Sequence, residues 1–219
     1  MNYFSHYFVD HKEGRYAYNT GLLLPDITRK QVAKFTLKES YTPLQQQFYE
    51  GCEAHYRGDK YFHSSPFFKM VLDHSNRLIN ESPFSDSVQR KWFLAHILGE
   101  LMIDRILVKN YPEQLEGFYD SLNRADDNEL ADFLRLNGME KIEVFFDFFN
   151  HFRKVQYIYY YADNNKFVYS LNRIMIQAGV GALTESDQDV LLNTTLKLEE
   201  VLSADVMTLV EQLIESKQK

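Results

Sequence analysis

The chain has one cysteine among 219 residues, Cys52, and so can close no internal disulfide. That excludes a disulfide-stapled scaffold and fits a reducing setting, so a cytoplasmic location is expected. A lone cysteine placed in an apolar helical pattern is also a poor candidate for nucleophilic catalysis. Proline and glycine are scarce, at five and nine, which suits long helices better than turn-rich β structure. No apolar run approaches the ~18–20 residues of a membrane span. The opening residues Met1 to His6 lack the positive region and apolar block of a signal peptide. No glycine-rich phosphate loop or dinucleotide fingerprint is present, and there is no internal repeat, low-complexity stretch or linker.

An excess of positive charge is missing too. Residues 1–110 carry 14 Lys and Arg against 12 Asp and Glu, and the remainder 10 against 19. The first half is therefore +2 and the rest −9, which matches the net charge of −7. Broad nucleic-acid binding is not expected of such a chain. Arg29, Lys30, Lys34 and Lys38 are closely spaced and read best as a solvated helix face.

Hydrophobic residues make up 45 %, and aromatic residues 15 %, enough for one large core. The apolar spacing is helical. Leu44 to Phe62 carries Phe48, Cys52 and His55 at intervals of three and four. Ser65-Pro66 breaks the chain and starts a helix from about Phe67 to Ile79. From Val88 to Lys109 runs one periodic stretch with Trp92, Ala95, Leu98, Leu101, Met102 and Leu107, closed by Tyr111-Pro112. Gly138 to Tyr161 is dense in Phe and Tyr and reads as a central buried helix. Thr184 to Asp187 reads as a helix start. It leads an amphipathic stretch through Leu191, Leu198, Val201, Leu202, Leu209, Val210, Leu213 and Ile214. No stretch alternates like a strand. The expectation is an all-α fold, residues 1–219 forming a single multi-helix domain.

Ligand-type residues recur at helical spacing. His55, Asp59 and His63 lie at i, i+4 and i+8, as do His96, Glu100 and Asp104. Such triples fall within an arc of roughly 80° on one helix face. The second triple is embedded in Ala95, Ile97, Leu98, Leu101, Met102, Ile103 and Ile106. Carboxylates on so apolar a helix are costly unless paired or bound to metal. Imidazole mixed with carboxylate suits Zn, Mn, Fe or Ni better than Ca or Mg. A divalent metal held between the two helices is therefore expected. Gly58 and Gly99 interrupt these helices, where a plausible use is close helix–helix approach. His6, in an aromatic segment, and Asp26, after an apolar run ending in Pro25, are further candidates. Asp26 reads equally as a helix N-cap. A di-iron carboxylate bundle favours Glu-x-x-His, and no such pair occurs.

Taken together, these residues resemble the acyl carrier protein phosphodiesterase family, whose helical core and ligand logic are similar to those of HD-type phosphohydrolases. The resemblance runs through Met1, Asn2 and His6, then Gly21, Leu23, Leu24 and Asp26. It continues with Gly51 followed by His55 and Asp59, and with Glu100 and Asp104 on the next ligand helix. Tyr159-Tyr160-Tyr161 and Ser170-Leu171-Asn172-Arg173 follow. The likeness covers roughly residues 1–183 and weakens beyond. It implies metal-assisted hydrolysis of a phosphodiester, releasing 4′-phosphopantetheine from holo acyl carrier protein, with manganese as the family's metal. His55, Asp59 and Asp104, with His6 or Asp26, would hold the ion. Glu100 or His96 would accept a proton from water, and Arg57 or Arg173 would neutralise phosphate. The chain departs from the family in having Glu100 for Asp and in adding His63 and His96. Those imidazoles resemble zinc-dependent phospholipase C and nuclease sites, so zinc stays beside manganese, and a family member with a degenerate site stays beside the enzyme.

Overall fold

Local chemistry sets most helix boundaries. Ser65 Oγ accepts from Phe68 N–H and Pro66 occupies the first turn, which starts α5, Pro66–Glu81. Pro112 opens α7, Pro112–Arg124, directly after α6, Lys91–Asn110. Asp126 and Asp163 cap α8, Asp127–Leu136, and α10, Asn164–Gln177. Thr184 Oγ1 accepts from Asp187 N–H at the start of α11, Glu185–Lys217. The remaining helices are α1, Tyr3–Asp10; α2, Tyr16–Gly21; α3, Leu24–Thr28; α4, Pro43–His63; and α9, Ile142–Val155. A 3-10 segment, Tyr157–Ala162, follows α9. This computed structural model describes residues 1–28 and 31–217, with side chains through residue 212. Among the described residues every regular element is a helix, as the apolar spacing predicts.

By contact the chain divides into two compact units, each discontinuous in sequence. The first comprises residues 1–62 and 111–157, the second residues 63–110 and 158–219.

The first unit is packed around aromatic rings. Phe118 of α7 meets Phe4 and Tyr7 of α1 and Phe152 of α9 in edge-to-face pairs. Phe133 of α8 stacks on Phe35 and leans on Phe48 of α4. The tightest approach is between α2 and α4. A Cβ on Gly21 would strike the Phe48 carbonyl oxygen, and one on Gly51 would strike the Tyr18 carbonyl oxygen. Only two glycines allow backbone to rest on backbone there. Cys52, next to that crossing, is fully buried, and burial pushes its thiol up, away from thiolate chemistry.

The second unit packs α5, α6, α10 and α11 against one another. From Leu101 to Val108, α6 is buried without interruption. Arg105 is fully buried within it. Its Nε donates to Glu199 Oε2 at 2.9 Å and its Nη1 to the Tyr161 carbonyl at 2.6 Å. The guanidinium lies 5.0 Å from the Phe167 ring centroid. Burial works against ionisation of Glu199, but Lys109 and Arg105 outweigh it and hold the carboxyl below its usual range.

Several expectations are corrected in detail. α6 starts at Lys91 rather than Val88, because Arg90 takes a left-handed φ of 52°. Trp92, in its first turn, is exposed, and Leu94 is buried instead. The aromatic segment is not buried all round. Phe145, Phe149 and Phe152 form one buried stripe of α9, while Phe148 is exposed. Gln156, left-handed at φ 53°, ends α9 before the tyrosine run. On α11 Val201 faces outward and Val206 is buried; the side chains of Leu213 and Ile214 lie outside the described residues. Lys34 and Lys38 sit on a segment without helix, so they do not form a helix face, and Arg29 and Lys30 lie outside the described residues.

Candidate metal centre

The first unit brings four ligand-type side chains together from three helices. His6 comes from α1, Asp26 from α3, and His55 and Asp59 from α4. One donor atom each of His6, Asp26 and His55 lie within 4.8 Å of one another. His55 Nε2 is 3.8 Å from both Asp26 Oδ1 and Asp59 Oδ2. His6 Nε2 is 3.1 Å from Asp59 Oδ1.

Gly58 lies where α1 approaches α4. A Cβ there would sit 3.1 Å from the Met1 methyl and 3.7 Å from His6 Nδ1. α3 delivers Asp26 from the end of the apolar run. Leu22, Leu23 and Leu24 are fully buried, and the Asp26 side chain is 26 % exposed at their edge. Asp26 therefore stands at the mouth of the core, inside the first turn of α3 rather than as its N-cap. The Asp59 side chain is 34 % exposed, whereas both imidazoles are almost fully buried. The cluster has a floor of nitrogen and a rim of carboxylate.

Hydrogen bonding fixes the imidazole of His55. Its Nδ1 lies 2.8 Å from the Leu22 carbonyl oxygen. A carbonyl only accepts, so Nδ1 carries a proton and donates it to Leu22, while Nε2 faces the carboxylates of Asp26 and Asp59. The His6 ring stacks on that of His55, with centroids 3.8 Å apart. Its buried Nε2 faces Asp59 Oδ1 at 3.1 Å. Burial lowers the His6 pKa to about 3, with His55 pushing the same way against the opposing pull of Asp59. Burial opposes ionisation of Asp59, but His6 and the Met1 ammonium, 3.0 Å from Oδ1, outweigh it and hold the carboxyl well below its usual range. The imidazoles of His6 and His55 with the carboxylate of Asp26, and Asp59 beside them, are donors of the kind that suits a divalent transition metal.

The second unit holds a separate group. His63 closes α4, and His96 and Glu100 lie one turn apart on α6. His63 Nε2 and His96 Nε2 approach the same Glu100 oxygen, at 3.4 and 3.3 Å. Asp104 lies one turn beyond Glu100 and is fully buried.

These groups are not the two triples of the sequence pattern. Residues eight apart on a helix are separated by about 12 Å of rise, and donors on one ion lie within about 4–5 Å of each other. His55 and His63 therefore cannot share an ion, nor can His96 and Asp104. Helix spacing predicts a common face, but not which turn of that face meets a ligand from another helix. His96 and Glu100 join His63 in the second group instead of standing beside His55. Arg57 is exposed. It lies two residues from both His55 and Asp59, on the opposite side of α4, so it does not serve this cluster. Arg173 is also exposed.

Two contributors escape a sequence reading. The Leu22 carbonyl leaves no trace in residue type. Phe68, perpendicular to both imidazoles of the second group, carries only the signal of its place three residues after the Ser65 cap. No protein-family model matches the chain, and no curated protein or solved structure matches it either.

Proposed function

We propose that the chain is a metal-dependent phosphodiester hydrolase, with His6, Asp26, His55 and Asp59 as the ligand set of its metal. The observation that supports this most is the pair of buried Nε2 atoms, those of His6 and His55, turned toward the carboxylates of Asp26 and Asp59. A divalent ion bound there would supply a water of lowered pKa and offset negative charge on a non-bridging phosphate oxygen.

The chain's own residues perform the rest. The Leu22 carbonyl holds His55 in the tautomer that leaves Nε2 free to ligate. Stacked against it and buried, His6 stays unprotonated at neutral pH. Asp59 stays ionised and, with its side chain partly exposed at the rim, orients the attacking water by accepting its hydrogen bond. So acidic a carboxyl orients a proton better than it stores one, so the proton passes to solvent at the rim. The substrate approaches from the carboxylate side, because the imidazole side is closed by the core. The resemblance to the acyl carrier protein phosphodiesterases makes holo acyl carrier protein the substrate to try first, with manganese and zinc as the metals.

The test is hydrolysis of bis(p-nitrophenyl) phosphate and release of 4′-phosphopantetheine from holo acyl carrier protein, by metal-loaded wild type and by His55→Ala. Metal-dependent turnover that disappears in the variant, with helicity retained, is expected. Equal turnover by His55→Ala would sink the assignment. Full metal loading with no hydrolysis of either substrate would turn the reading to a non-catalytic metal protein.

A further inference from the structure

The second group repays closer geometry. His63 and His96 present parallel rings, 7° apart in plane, with centroids separated by 5.9 Å. Phe68, buried on α5, stands at 88° to one ring and 86° to the other. An apolar edge thus holds both imidazoles in one orientation, and each Nε2 converges on Glu100 Oε1. The spacing is informative. A tetrahedral ion with bonds of about 2.0–2.1 Å has donor-to-donor edges of about 3.3–3.4 Å. The two Nε2 to Oε1 distances are 3.4 and 3.3 Å, and all three donors fall within 4.8 Å. The carboxylate is the more sheltered partner at 14 % exposure, against 36 % and 38 % for the imidazoles.

The height of α6 at this point is also fixed. A Cβ on Gly99 would sit 3.0 Å from Ser75 Oγ and 3.0 Å from Val71 Cγ1, so α5 and α6 are in direct contact beside Glu100. Ser75 Oγ in turn donates to the Val71 carbonyl within α5. Phe68 and the Gly99 contact belong to the same face-to-face pair of helices, which presets the ligands before any ion arrives.

We propose that His63, His96 and Glu100 form a second divalent-metal site, of His2Glu type and suited to zinc, with its fourth position open to water. Two imidazoles and one carboxylate select a transition metal over calcium or magnesium. Two donors one turn apart on α6 and a third from the end of α4 make a three-point attachment. His96 and Glu100 are then ligands in their own right rather than proton acceptors for the first cluster. The site stands without the phosphodiesterase reading and shares no residue with it.

The experiment is a cobalt(II) and zinc(II) titration of the metal-free full chain, followed by mass spectrometry and visible absorption. Wild type is compared with His63→Ala/His96→Ala, Glu100→Gln and His55→Ala. The double variant is expected to bind one equivalent fewer than wild type and to lose the intense visible bands of tetrahedral cobalt. Glu100→Gln, nearly isosteric, is expected to weaken that equivalent by about 10-fold or more. Circular dichroism confirms the fold of each variant. Wild-type stoichiometry and spectrum in the double variant would overturn the proposal, whatever His55→Ala does. Loss of metal from His55→Ala with nothing lost from the double variant would leave the first cluster standing alone.

Discussion

The two clusters use the same side-chain types with opposite burial. In the first unit the imidazoles are sunk in the core and the carboxylates face water; in the second the imidazoles reach water and the carboxylate is sheltered. The means of orientation differ as well. A backbone carbonyl sets His55, whereas an aromatic edge sets His63 and His96. A hydrogen bond to the backbone dictates which nitrogen carries the proton. Packing against a ring dictates only where the imidazole points. The first arrangement therefore fixes which ring nitrogen faces the carboxylates, and the second fixes an orientation.

The frameworks beneath the clusters contrast in the same way. The first unit rests on ring packing and on backbone seated against backbone at Gly21 and Gly51. The second rests on a buried cation. The largest expected stability change follows from that cation. Arg105→Ala removes the buried cation from Glu199 and the Tyr161 carbonyl, and should destabilise the protein by about 3–5 kcal/mol. Urea unfolding measures it, and a loss below about 1 kcal/mol would mean that Lys109 alone satisfies Glu199. Next is Gly51→Ala, whose methyl meets main-chain atoms that cannot rotate away. A cost of about 2–3 kcal/mol is expected, with reduced metal binding by His55→Ala-sensitive ligands because α4 must shift. An unchanged melting temperature would show that α2 can lift off α4 freely.

The smallest effect tests electrostatics outside both clusters. Asp187 accepts from Ser85 N–H, Ser85 Oγ and Thr184 Oγ1 at 2.7–2.8 Å. Burial alone would raise its pKa, but these donors outweigh it and lower it. A carboxyl depressed in the folded state adds stability above its unfolded value of about 3.9, and that contribution is lost as pH falls through the folded value. Asp187→Asn should cost about 1–2 kcal/mol at pH 7 and less as the solution is acidified toward pH 2. Parallel stability curves for variant and wild type across that range would refute the assignment.

Much of the fold was legible because helical periodicity is a local property. The α4 and α5 boundaries follow from Ser65, Pro66 and the apolar spacing, and the sheltered stretch of α6 follows from the apolar residues that surround Asp104 and Arg105. The ligand types were legible too, since acids among Leu and Ile need partners. Their grouping was not. His6 and Asp26 meet His55 where α1 and α3 approach α4, beside the α2–α4 crossing at Gly21 and Gly51, and contact of that kind has no period along the chain. Trp92 misled for a related reason: its spacing matched the stripe, but one left-handed residue at Arg90 reset the start of α6. Phe148 matched an aromatic run whose other members face inward.

The order in which the units are strung has a consequence for how the chain is made. Residues 63–110 of the second unit interrupt the first, and residues 111–157 of the first interrupt the second. No single cut separates them. On the ribosome, His6, Asp26 and His55 emerge early, yet α7, α8 and α9, which complete their unit, come only after α5 and α6 have been synthesised. The nascent chain must hold an unfinished aromatic core through that interval. Contacts that span so much sequence slow folding, and a chain stalled between residues 63 and 110 would expose its rings to chaperones and proteases.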